Sequence, residues 1–161
     1  MNAVLDECRD LEEVRFEPGE KLLREGAAAD RMFVLIEGEV AVSKGSVEVA
    51  VDRKPGSLFG EMSALLETAY SASVVAVTPV RAYLVEDPID FMTRRPGLAI
   101  HAARLLAQRL HDATTYLADL KVQFEDRSDH LGMVDQVLDA LMHHQRKDAL
   151  DRDSRSDDPR L

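Results

Sequence analysis

The stretch that decides the fold runs from Phe16 to Val42 and reads FEPGEKLLREGAAADRMFVLIEGEVAV. Just ahead of and into it, Val14 and Phe16 alternate with Arg15 and Glu17, and Pro18-Gly19 then turns the chain. Met32 to Ile36 is a compact apolar run closed by Glu37-Gly38. Val40 and Val42 come next, alternating with Glu39 and Ala41. Period-two alternation punctuated by glycine specifies short β-strands rather than helices.

The same grammar continues downstream. Lys44-Gly45-Ser46 is a hairpin turn, after which Val47, Val49 and Val51 return with Glu48 and Asp52 on the other face. Pro55-Gly56 makes another turn, and Val74-Val75-Ala76-Val77 and Tyr83-Leu84-Val85 are β-rich runs either side of Thr78-Pro79. Strands at this spacing predict a sandwich or barrel. Gly60 to Glu67 breaks the alternation with good helix formers and predicts one or two helical turns.

Near residue 87 the period lengthens. Asp87-Pro88 is an N-cap followed by proline at the first helical position, and Pro96 opens a second helix in the same way. Ala103, Leu106, Leu110, Ala113, Leu117, Leu120 and Phe124 then recur in steps of three and four, the a/d seam of a helix on the order of 40 Å long. Asp126-Arg127-Ser128-Asp129 interrupts the seam, and Leu131, Val134, Leu138 and Leu141 resume it in a further helix. The expected division is a β domain over 1–95, a long helix over 96–126, an accessory helix over 127–148 and a disordered charged tail over 149–161.

With 161 residues, 45% of them apolar and 31% charged, the chain is globular and has room for one domain plus an appended helical piece. Its net charge of −10 disfavours nucleic-acid or anionic-membrane surfaces. The single cysteine, Cys8, excludes a disulfide framework within the chain and suits a reducing cytosol. No apolar run reaches the ~18 residues of a membrane span and no secretory leader is visible, so a cytoplasmic protein is expected. All five histidines, His101, His111, His130, His143 and His144, lie after residue 100, outside the β region, so no metal site and no metal-dependent enzyme is expected there. No nucleophile-elbow, HExxH or Walker sequence appears, and an enzyme is not expected.

In Phe16 to Val42, the residues Phe16, Gly19, Leu22, Gly26, Asp30, Phe33, Leu35, Gly38, Val40 and Val42 fall in the order that marks the opening of the cyclic nucleotide-binding domain family. The string PGSLFGEMSALLETAYSASVVA, Pro55 to Ala76, resembles that family's phosphate-binding cassette, and Arg95 to Leu120 resembles the long helix of its catabolite-activator branch. The resemblance implies an α+β fold: an eight-stranded antiparallel β-roll, jelly-roll-like, with a short cassette helix and long C-terminal helices. It also implies a site. Gly60-Glu61 matches the family's Gly-Glu pair, whose glutamate accepts a hydrogen bond from a ribose 2′-OH, a task for an acceptor-only carboxylate. Met62, Ser63, Ser71 and Ala72 would surround the cyclic phosphate. Thr114 matches the second of two small hydroxyl residues that contact adenine, Ala113 standing at the first.

One residue departs from the pattern. Family members that bind cyclic nucleotide carry an arginine where this chain has Tyr70, in Ala69-Tyr70-Ser71-Ala72-Ser73-Val74. A guanidinium offers a fixed charge and a two-pronged donor; a phenol offers one neutral O–H. Losing one charge-assisted hydrogen bond costs roughly 1.5–3 kcal/mol, about ten- to hundred-fold in affinity. Arg53, Lys54 and Arg81 are the candidate replacement cations.

The expected function is that of a non-enzymatic regulatory module without cofactor, binding cyclic AMP or cyclic GMP and signalling through its C-terminal helix to a protein effector. A homodimer through the long helix is expected. The alternative is a ligand-free dimerisation or interaction domain on the same fold. Direct DNA binding is not expected, because the chain beyond Leu120 reads as one helix and an acidic tail rather than a winged helix-turn-helix.

Overall fold

The computed structural model describes residues 2–123 and 132–141. In chain order the elements are α1 (Ala3–Glu7), β1 (Glu13–Phe16), β2 (Lys21–Leu23), β3 (Met32–Glu37), β4 (Val40–Lys44), β5 (Val47–Asp52), β6 (Leu58–Phe59), α2 (Glu61–Leu66), β7 (Ser73–Ala76), β8 (Val80–Val85), α3 (Pro88–Arg94) and α4 (Pro96–Gln123). The strands form two four-stranded sheets, β1-β8-β3-β6 and β2-β7-β4-β5. Every pairing is antiparallel. The α+β β-roll expected from the sequence is therefore the architecture observed.

β3 explains why the Met32–Ile36 run shows no polar alternation. Phe33 and Leu35 point into the barrel with Leu22, Leu23, Val40, Phe59 and Val80. Met32 and Val34 point the other way, into a second core with Leu58, Val85, Phe91, Met92, Leu98 and Ala102. A strand covered on both faces reads as a continuous apolar run. Within the barrel, Phe16 and Phe33 meet edge to face at 5.5 Å.

The second core is closed by helices. Asp87 caps α3 through Asp90 N–H at 3.1 Å, with Pro88 at the first helical position as the sequence predicts. α1, which sequence patterning does not single out, buries Val4 and leads into the fully buried Cys8. Arg95 holds this segment: its guanidinium donates to the Glu7 carbonyl, reaches Asp10 at 2.5 Å and lies 4.7 Å over the Phe91 ring. Asn2 caps α1 and donates to the Pro55 carbonyl at 2.7 Å, tying the helix to the turn before β6.

β5 is an edge strand. Its valine alternation is present, but Val47, Val49 and Val51 are 61%, 58% and 50% exposed rather than core residues.

The chain divides within α4 into two compact units, one through Leu106 and one from Ala107. The first unit keeps the opening turns of α4, where Leu98 and Ala102 are buried. In the second unit Leu110 is 46% exposed, Ala113 is exposed, and Leu117 and Leu120 are half-buried. Residues 132–141 are helical, and Asp135 pairs with Lys121 of α4. Phe124, the interruption at 126–129 and the tail over 149–161 lie outside the described residues. Among the described residues no helix is long and apolar enough to cross a membrane.

One local strain offers a direct test. α2 ends on Glu67, a left-handed residue at φ 54, ψ 41. The Thr68 N–H reaches back to the Ser63 carbonyl at 3.1 Å, a closure that favours glycine at this position. Glu67→Gly is expected to stabilise the domain by about 0.5–1 kcal/mol, read as a raised urea midpoint at unchanged slope.

Candidate functional site

The cassette is built on Gly60. This residue stands at φ 93, ψ −3 before α2, and a Cβ there would lie 2.8 Å from the Arg31 carbonyl and 3.4 Å from the Tyr70 ring. Only glycine lets the chain leave β6, turn and start a helix against that wall. Glu61 is next, at 2% exposure, a buried carboxylate at the first position of α2. Ser63 is also buried, and its hydroxyl accepts the Ser71 N–H at 3.3 Å, bridging the helix to the strand-entry half of the cassette. Met62 is 41% exposed, while Ser71 and Ala72 are half-buried. The structure thus brings Gly60, Glu61, Met62, Ser63, Tyr70, Ser71 and Ala72 into one local unit. Thr114 lies in the second compact unit, where its hydroxyl donates to the Leu110 carbonyl at 2.8 Å.

Tyr70 is placed unlike a residue that faces a ligand phosphate. It is 6% exposed and belongs to the barrel core with Leu22, Phe33, Phe59 and Val74. Its O–H donates to the Arg31 carbonyl at 2.7 Å and accepts the Arg31 N–H at 3.1 Å. Its own backbone closes the same loop: the Tyr70 N–H donates to Ala27 at 3.0 Å, and its carbonyl accepts from Gly26 at 2.9 Å. Burial pushes the phenol above its ordinary range, so at neutral pH it keeps the proton it donates. Four hydrogen bonds from one residue therefore staple the loop of residues 24–31 to the cassette.

An open cleft of about 560 Å³ separates the two, lined by Gly26, Ala28, Ala29, Ser63, Ala64, Glu67, Thr68 and Ala69. Glu67 brings a negative charge to that lining. Of the candidate cations from sequence, Arg81 is held on β8 by Glu13 at 2.6 Å and Glu37 at 3.0 Å. Arg53 and Lys54 are exposed in the turn after β5. Cys8 is buried away from the cassette, in the second core, and burial pushes its thiol up to about 11, which keeps it an unreactive thiol at neutral pH.

Comparison with known proteins places this geometry. Residues 13–88 match the sequence model of the cyclic nucleotide-binding domain. A CRP-like cAMP-activated global transcriptional regulator from Mycobacterium tuberculosis is 28% identical over 125 residues, which cover 74% of this chain and 56% of that protein. The chain thus spans about half the length of that curated relative. Among solved structures, a regulatory subunit of a cAMP-independent protein kinase A from Trypanosoma brucei aligns at TM-score 0.53 and 27% identity, covering 61% of this chain and 35% of that one. The catabolite activator protein of Thermus thermophilus shares the fold at TM-score 0.63 and 21% identity, over 92% of this chain and 85% of its own. The matched segment holds all eight strands and the cassette helix, and over that segment the chain is similar to the cyclic nucleotide-binding domain.

Proposed function

We propose that the protein is a non-enzymatic regulatory module that binds a cyclic nucleotide in the cassette and passes the event to a protein effector through its C-terminal helix, in the cytoplasm. The observation that carries this reading is the buried Glu61 carboxylate behind the positive-φ Gly60. A carboxylate shielded from solvent is a strong acceptor, and a ribose hydroxyl is a donor suited to it. Ser71 and the turn after Gly60 would meet the phosphate. The exposed Leu110 and Ala113 on α4 suit pairing with a second copy along the a/d seam. The seam comprises Ala103, Leu106, Leu110, Ala113, Leu117, Leu120 and Phe124.

Calorimetric titration of nucleotide-stripped protein tests the reading. The wild type is expected to bind cyclic AMP or cyclic GMP at roughly micromolar concentration, and Glu61→Gln about tenfold or more weakly. One observation favours the second reading, a ligand-free interaction domain: the Tyr70 hydroxyl is fully engaged by Arg31 and leaves the cassette without its usual cation. Absence of binding to either nucleotide would decide for that reading.

A further inference from the structure

The cassette has lost its arginine, but Tyr70 anchors another arginine beside it. Both polar groups of the Arg31 backbone are bonded to the Tyr70 hydroxyl, at 2.7 and 3.1 Å. The Arg31 carbonyl also stands 2.8 Å from the point where a Gly60 Cβ would be. Arg31 therefore cannot drift from the cassette without breaking the Tyr70 staple.

Register gives its position. β3 and β6 pair Phe33 with Phe59 and Val34 with Leu58. One step further along the antiparallel register sets Met32 opposite Gly60, in keeping with the 3.4 Å from the Met32 Cα to that same Cβ point. The ladder ends there, because Gly60 turns the chain into α2, so Arg31, one residue before Met32, lies beside the start of that helix, whose first residue is Glu61, the carboxylate that is expected to take the ribose.

Alternation gives its face. Phe33 and Leu35 look into the barrel, and Met32 and Val34 look away from it. Arg31 shares parity with Phe33 and so falls on the barrel-interior side, at the rim. Its side chain is 51% exposed and approaches Asp30, itself 68% exposed, at 3.4 Å. A pair that exposed holds the guanidinium weakly and leaves it able to turn to a stronger anion.

Resting on the cyclic-nucleotide reading of the site, we infer that Arg31 supplies the positive charge for the cyclic phosphate, so that the charge has moved from the cassette to the strand beside it while Tyr70 fixes its backbone. Arg31 is then a specificity-determining residue: it selects an anionic cyclic phosphate over an uncharged nucleoside. Sequence inspection for replacement cations passes over it, because it sits outside the cassette and becomes a neighbour only through the β3–β6 pairing.

The test is calorimetric titration of wild type, Arg31→Gln and Arg31→Lys with cyclic AMP and with adenosine, each protein first checked by thermal melt. Substitution at a half-exposed side chain leaves the backbone bonds to Tyr70 in place, so wild-type melting is expected. Arg31→Gln is expected to bind cyclic AMP about ten- to hundred-fold more weakly than wild type, with Arg31→Lys between the two. Adenosine affinity is expected to be unchanged across the three proteins. If wild type binds cyclic AMP and Arg31→Gln binds it equally well, the assignment of Arg31 is wrong and the reading of the site stands. If Arg31→Gln weakens adenosine as much as cyclic AMP, Arg31 acts on pocket shape and the charge assignment is overturned. If wild type binds neither cyclic AMP nor cyclic GMP, the reading of the site and the assignment fall together.

Discussion

Tyr70→Arg is expected to destabilise the domain by about 3–5 kcal/mol rather than to install a working phosphate site. From sequence, the exchange looks like repair, since it restores the residue type that cyclic-nucleotide binders of the family carry. The structure reverses the expectation. The Tyr70 ring is 6% exposed among Leu22, Phe33, Phe59 and Val74. Its hydroxyl satisfies the N–H and the carbonyl of Arg31 together. An arginine there loses the aromatic packing and offers donors only, so the Arg31 N–H is left without its acceptor. It also sets a second positive charge beside Arg31. Tyr70→Phe separates the contributions: it keeps the ring and removes only the hydroxyl, and is expected to cost about 1–3 kcal/mol for the two backbone groups left unpaired. Urea unfolding of the three proteins checks the order wild type, Tyr70→Phe, Tyr70→Arg. A Tyr70→Arg protein with the wild-type midpoint would refute the staple.

Tyr70 also marks where sequence reasoning stops. The barrel was legible because its signals are local. Glycines at strand ends, the hairpin at Lys44-Gly45-Ser46 and the proline starts of α3 and α4 each act within a few residues. β2 and β6 are three and two residues long, too short for any period to register, and are defined only by their partners β7 and β3. α1 has one turn and an asparagine cap, which patterning does not distinguish from an irregular N-terminus. Its stability comes instead from Arg95, 88 residues away from Glu7 in sequence. The members of the cassette could be named from their order, but the direction in which Tyr70 points could not. It lies between α2 and β7, where no alternation assigns a face, and its partners at Ala27 and Arg31 are brought to it by tertiary pairing. Arg31 was hidden for the same reason, although its parity with Phe33 was written in the sequence.

Alanine at Gly38 is expected to cost about 3–5 kcal/mol, and at Gly60 about 2–4 kcal/mol, but the two should differ in what they do to ligand binding. Gly38 has φ 106, and its missing Cβ would stand 2.4 Å from the Pro79 carbonyl and 2.9 Å from the Val80 Cα. Both obstacles are backbone, on the strand connection that leads into β8, so nothing nearby can swing aside. Gly60 has φ 93, and its Cβ would stand 2.8 Å from the Arg31 carbonyl, the atom that accepts from Tyr70 at 2.7 Å. Relieving that clash pushes Arg31 off the Tyr70 hydroxyl and shifts the start of α2, where Glu61 is buried. Gly19 is the internal reference, with φ 90 but open space around its Cβ position, so Gly19→Ala should show the backbone cost alone, about 1 kcal/mol. Urea midpoints rank the three. Titration at a temperature where each protein is folded then separates them, because Gly19→Ala and Gly38→Ala leave the cassette geometry intact and should bind cyclic nucleotide with near wild-type affinity. Gly60→Ala should lose at least tenfold even when fully folded, since the same displaced carbonyl disturbs Glu61 on one side and Arg31 on the other. Equal affinity for Gly60→Ala and wild type would mean that the contact between Gly60 and Arg31 supports the fold and takes no part in the site.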